Sequence, residues 1–173
     1  MSISLEHPIA APLLAVEAAL LDRRRPALVV AASPVVRHIE VLSWQARDDT
    51  VERRILVSAE GLRALLGGTF VLDTIQWIDH LVWDRRLHCG SFRLDAQLTE
   101  SLRRQLHCHG EHRLIADTEQ NTRRLISCHL RVDLPGIEDA TLEAIKQVVS
   151  LHFAEDAKQL TTLARRRAHL GRA

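Results

Sequence analysis

The sequence predicts an α+β fold: a curved antiparallel sheet of about six to seven strands wrapped around one long C-terminal helix, with two short helices after the first strand. Three observations carry this reading. From Val35 to Asp133 most of the chain alternates apolar and polar residues with a period of two, the pattern of half-buried strands. From Ile137 to about Arg167 there is no proline or glycine, and apolar residues recur at helical spacing at Leu142, Ile145, Val149, Phe153, Leu160 and Leu163. The strands also come before the long helix instead of alternating with helices, so a parallel βαβ arrangement is excluded.

Each element has its own justification. Ser2 to Ile9 reads as a first strand, and Pro12 opens a short helix from Leu13 to Leu21, because proline suits the first turn. After Asp22 and the arginines Arg23 to Arg25, Ala27 to Ala32 reads as a second short helix that Ser33 and Pro34 end. Val35 to Gln45 and Thr50 to Ser58 form a hairpin around the turn Arg47 to Asp49. Gly61 to Gly68 reads as a connecting helical turn. Phe70 to Trp83 and Leu87 to Ala96 pair across Asp84 to Arg86, and Arg103 to Ala116 pairs with Thr122 to Asp133 across Asp117 to Asn121. Pro135 and Gly136 end the sheet. The helix that follows spans roughly 30 residues, about 45 Å at 1.5 Å per residue, and needs a broad surface to lie on.

Composition bounds the function. The 173 residues suit one domain, 1–173, and 46% hydrophobic with 26% charged residues are the proportions of a globule with a real core. With 23 basic and 22 acidic residues the formal net charge is +1, so no overall field draws the chain to nucleic acid, and no nucleic-acid partner is expected. No window approaches the roughly 20 apolar residues of a membrane span, and no cationic segment leads into a long apolar run at the start. The reading is therefore a cytoplasmic protein without an integral membrane segment. Cys89, Cys108 and Cys128 lack CxxC spacing and read as small buried hydrophobes. There is no Gly-x-Ser-x-Gly and no phosphate loop, which disfavours acyl-enzyme and nucleotide chemistry. No cofactor is expected.

Ile9-Ala10-Ala11-Pro12-Leu13-Leu14-Ala15-Val16, running on to Leu20-Leu21-Asp22, resembles the opening of the START-like helix-grip superfamily, which includes polyketide cyclases, birch-pollen-type allergens and lipid-transfer domains. The resemblance continues in Val36-Arg37-His38-Ile39-Glu40-Val41, in Trp83-Asp84-Arg85-Arg86 with His88 and Gly90, and in Leu130-Arg131-Val132-Asp133-Leu134-Pro135-Gly136. These later stretches look like a bacterial branch of polyketide-cyclase and dehydratase-like proteins. Two features depart from the pattern. Glu17 stands where an aromatic residue is common, and no glycine precedes Gly61, so the glycine-rich loop of the plant members is missing. The resemblance implies a hydrophobic cavity and a lipid, polyketide or other apolar ligand, but no shared catalytic set.

Four constellations could carry chemistry. His107, His109 and Glu111 share one sheet face, with His129 on the neighbouring strand. Imidazoles and a carboxylate can hold zinc, but three ligands at alternate strand positions spread over about 14 Å, so the reading is a solvated outer face and no metal. His152 and Asp156 lie one helical turn apart on or beside the apolar stripe of the last helix. They would serve as a polar anchor or acid-base pair, or sit at a cavity mouth. Trp77, Asp79, Leu81 and Trp83 share strand parity and read as core or as the wall of a ligand site. Arg23 to Arg25 and Arg165 to Arg167 read as solvated basic ends.

The function these residues point to is binding or transport of an apolar small molecule in a dry cavity between the sheet and the stripe of Leu142, Ile145, Val149 and Phe153. Only 3% of residues are aromatic and none is tyrosine, which leaves space in a hollow of that shape. Two alternatives stay open: a cyclase or dehydratase-like enzyme using a cavity acid-base pair, and a protein interaction domain with a filled core.

Overall fold

Alternation of side chains across each strand, together with the turns between them, builds one sheet. In the computed structural model, which describes residues 1–33, 36–60, 74–97, 106–132 and 139–170, the chain runs β1 (Ser2–Ile9), α1 (Leu13–Leu20), α2 (Arg25–Ala32), β2 (Val36–Arg47), β3 (Thr50–Ala59), β4 (Ile75–Asp84), β5 (Cys89–Ala96), β6 (Leu106–Thr118), β7 (Asn121–Val132) and α3 (Asp139–Leu170). The seven strands form a single antiparallel curved sheet in the order β1-β7-β6-β5-β4-β3-β2. The α1 and α2 segment carries the chain from one edge strand to the other, and every other step to the next strand is between antiparallel neighbours.

Local chemistry explains where the elements end. Helix α2 starts at Arg25, two residues before the sequence reading placed it, because Pro26 is accommodated in the first turn, where its missing N–H has no helical partner to lose. The β4–β5 turn is one residue longer than expected, spanning residues 85–88. The Asp84 carboxylate accepts the backbone N–H groups of Arg86 (2.8 Å) and Leu87 (3.0 Å), and His88 turns to a φ of 51°, so β5 starts at Cys89 and not at Leu87. At the far hairpin a register shift between Ala116 and Thr118 shortens the turn to residues 119–120. The expected helical turn at Gly61 to Gly68, the expected strand start at Phe70 and the stop at Pro135 and Gly136 lie outside the described residues.

The core lies between the inner sheet face and the helices. Helix α3 packs on α1, β1 and α2, and buries Phe153, Leu160 and Ala164 against Ile3, Ile9, Val16, Leu81 and Ile126. It reaches the middle of the sheet through side chains, as where Phe153 meets Phe92 edge to face at 5.9 Å. Gly110 makes room for that contact: a Cβ there would stand 2.6 Å from the Phe92 ring and 2.0 Å from the Ser127 carbonyl oxygen. Glu17, buried on α1, accepts from Trp83 Nε1 and pairs with His88 Nδ1, both at 2.9 Å, and so ties the first helix to the β4–β5 hairpin. Cys108 and Cys128 are buried side by side with their sulfurs 3.2 Å apart, and Cys89 is half-buried.

Candidate functional site: a charged cavity between sheet and helix

Period two puts a polar residue into the inward row of four of the strands. Along β3 the inward row is Val51, Arg53, Ile55 and Val57; along β4 it includes Asp79 and Leu81; along β6 it holds Cys108, Gly110, His112 and Leu114; along β7, Thr122, Arg124, Ile126 and Cys128. Helix α3 brings His152, Phe153 and Asp156 to face them, and the start of α2 adds Arg25. Arg53, Asp79, His112 and Arg124 of these rows, with Arg25 and the three α3 residues, help bound a cavity of about 70 Å³. Apolar side chains complete the wall, among them Ile55, Val57, Trp77, Leu81 and Phe92.

The charged groups of the wall are paired in two clusters. Asp156 accepts from Arg25 Nη2 through Oδ1 and from Arg124 Nη1 through Oδ2, the latter at 2.6 Å. Arg53 Nη2 donates to Asp79 Oδ2 at 3.0 Å. Arg124 also lies over the Phe153 ring at 5.7 Å, and its Nη2 approaches His112 Nδ1 at 3.5 Å. His152 meets Trp77 edge to face at 6.3 Å.

This arrangement decides the ionisation of each group. Burial by itself would raise the Asp156 carboxyl, but Arg25 and Arg124 outweigh it and hold the group well below the usual carboxylate range. Burial lowers His112 well below the ordinary imidazole value, and Arg124 lowers it further, so its ring is neutral at pH 7. His152 is lowered as well, because burial outweighs the attraction of Asp156 and Asp79 for its proton. Burial also pulls Arg53 and Arg124 down from the ordinary guanidinium value against the opposing pull of their carboxylates, and guanidinium remains charged at any pH the protein meets. The site therefore offers fixed charges, two neutral imidazoles and an apolar floor.

Among solved structures, the chain resembles the Zhui aromatase/cyclase from Streptomyces sp. R1128, with a TM-score of 0.70 at 15% identity over 96% of this chain and 94% of that one. It is similar to a START superfamily protein from Mycobacterium smegmatis, with a TM-score of 0.58 at 11% identity over 95% and 97% of the two chains. It also resembles norcoclaurine synthase from Thalictrum flavum, with a TM-score of 0.63 at 8% identity over 94% and 85%. The sequence matches no family model and no curated protein. The chain has the START-like helix-grip fold. At these identities the likeness shows the fold alone.

Within the helix-grip frame the sequence-predicted residues separate. Trp77, Asp79, His152, Phe153 and Asp156 line the cavity. Trp83 does not: it is 0% exposed in the core, with its indole N–H on Glu17. Val149 packs against the core, and the side chains of Leu142 and Ile145 lie outside the described residues. His152 and Asp156 share the wall, but the carboxylate is engaged by two guanidiniums, so it is an anchored ion and not a proton carrier.

Two further expectations are corrected. The wall expected to be dry and apolar carries five ionised side chains. Arg25, read as part of a solvated basic end, is 7% exposed, because the first turn of α2 aims it at Asp156. Arg167, at the other basic end, reaches Asp22 across the α1–α3 contact. Sequence reasoning did not single out Arg53, His112 or Arg124, although their parity with Val57, Cys108 and Ile126 was the available signal.

The histidine row lies on the outer face. His107, His109, Glu111 and His129 are all exposed, and His109 stacks on His129 at 5.5 Å. Among the described residues no group of three or more His, Cys, Asp or Glu side chains converges in a way that could hold a metal ion, and no described helix is long and apolar enough to cross a membrane.

Proposed function

We propose that the protein binds a small, largely apolar organic molecule in the cavity between the sheet and α3, with Trp77, Phe153 and their apolar neighbours holding its body and the charged wall fixing its orientation. The observation that supports this most is the cavity itself, which puts a concave apolar surface beside a few convergent polar groups, the usual composition of a small-molecule site. The likeness in fold to an aromatase/cyclase and to a norcoclaurine synthase seen in complex with dopamine and hydroxybenzaldehyde points the same way. The test is titration with fatty acids, polycyclic aromatics and a neutral hydrophobic dye, read by tryptophan quenching and thermal shift. Saturable binding with one equivalent and a raised Tm is the expected result; no saturable binding by any of them would favour an interaction domain instead.

A second reading is supported by the neutral imidazole of His152 on the wall, since a neutral histidine facing a bound substrate can take a proton from carbon or oxygen. In a cyclase or dehydratase-like enzyme, His152 would be that base and Asp156 would position the guanidiniums beside the developing charge. A carrier and an enzyme separate under His152→Asn. A carrier would lose at most a few-fold in affinity, whereas an enzyme would lose on the order of 100-fold in rate with binding retained.

A further inference from the structure

We infer that the ligand of this cavity is an organic anion, a molecule with one carboxylate or comparably charged oxygen on a compact apolar body. The inference rests on the proposed function, that the cavity binds a small molecule, and names the chemical class it takes. Two observations carry it, one of charge and one of hydrogen bonding.

The first is charge. Among the described residues, three guanidiniums, Arg25, Arg53 and Arg124, line the cavity against two carboxylates, Asp79 and Asp156. Asp156 serves two of the arginines and Asp79 the third. Among the described residues one positive charge on the wall is thus left without a counter-ion, in a place where Arg53 is 4% and Arg124 1% exposed. An uncompensated buried charge is costly, and an anion entering the cavity would neutralise it.

The second is hydrogen bonding. Among the described residues, the buried atoms of the wall that lack a partner are Nε of Arg25, Nε of Arg53, Nε of Arg124 and Nε2 of His112. All three guanidine nitrogens are donors. Arg124 approaches His112 through Nδ1, which puts the hydrogen of the neutral ring on Nε2 and makes it a fourth donor. No wall atom in that unpartnered set is an acceptor, so the complement is an oxygen-rich anionic group and not an amine or a hydrocarbon alone. The apolar remainder, with Val57, Leu81 and Phe92, limits the charge to one end of the ligand.

The test compares two nearly isosteric probes, benzoate and benzamide, by calorimetric titration of the intact protein and of two variants, with a neutral hydrophobic dye as reference. Benzoate should bind at least tenfold more tightly than benzamide. Arg53→Gln should weaken benzoate tenfold or more and leave benzamide within about twofold. Asp79→Asn, which keeps an acceptor for Arg53 but removes a negative charge, should tighten benzoate several-fold. Retained benzamide or dye binding shows that each variant is folded. Equal affinity for the two probes, or equal shifts of both in the variants, would overturn the anion inference while the proposed binding function stands. Binding of the dye without benzoate would do the same and assign the free donors to water. Failure of all three probes would overturn the binding function together with the inference.

Discussion

At the residue scale the decisive group is Asp156. Its carboxylate is the shared counter-ion of Arg25 and Arg124, so Asp156→Asn leaves two buried guanidiniums facing each other without a negative charge between them. Removing one partner from a buried ionic cluster costs about 3 to 5 kcal/mol, much of it from the charges left behind. The urea midpoint should fall accordingly, with the slope of the transition unchanged. Replacing Asp156 by Glu should recover only part of the loss, since the longer side chain displaces the carboxylate from both arginines. His112 makes the second residue-scale prediction. Arg124, Arg53 and Arg25 face it with Asp156, and burial with these cations lowers its folded pKa well below 6.5. A base lowered by folding gains protons on unfolding, so its stabilising effect is complete above about pH 6.5 and is lost as pH falls below that value. Tm should therefore drop between pH 7 and 5.5. His112→Asn, which keeps an acceptor for Arg124, should flatten the slope by up to about 1.4 kcal/mol per pH unit. Equal slopes in the two proteins would contradict the neutral, buried assignment.

At the element scale, α3 gives the sheet its second layer. Phe153, Leu160 and Ala164 are buried by it, and burying a large apolar side chain is worth about 1.5 to 3 kcal/mol. Losing several of them, together with Asp156, exceeds much of a typical domain stability of about 5 to 15 kcal/mol. A chain ending at residue 135 should be insoluble or molten; dispersed amide resonances from it would contradict that role. The elements were largely legible in the sequence, because alternation over long strands and a run free of proline and glycine are strong local signals. The edges were less so. The Asp84 side chain closes the β4–β5 turn through two hydrogen bonds that periodicity does not register, and Pro26 sits inside a helix it was expected to precede. The site was legible in half. Trp77, Asp79, His152, Phe153 and Asp156 could be placed by face, whereas Arg53 and Arg124 look like surface residues until their partners are known. Asp79 lies 26 and Asp156 32 residues from the arginine it holds, and Arg25 lies 131 residues from Asp156, so no local pattern contains the pairing.

At the scale of the whole molecule, a sheet that carries charge on its inner face folds because α3 and a neighbouring strand supply the complementary charges. α3 brings Asp156 to Arg124 of β7 and Arg25 of α2, and β4 brings Asp79 to Arg53 of β3. These contacts hold the helix against the sheet at one point and leave the space beside them open, which is how the fold keeps a cavity without tyrosine and with few aromatic side chains. The central claim is that this space receives a ligand. The most direct measurement is the affinity of a neutral apolar probe for the wild type and for Val57→Phe, in which the added ring occupies the cavity from its sheet wall. The account predicts saturable binding of one equivalent to the wild type and a loss of tenfold or more in the folded variant. Equal binding to both proteins would place the ligand elsewhere and contradict it.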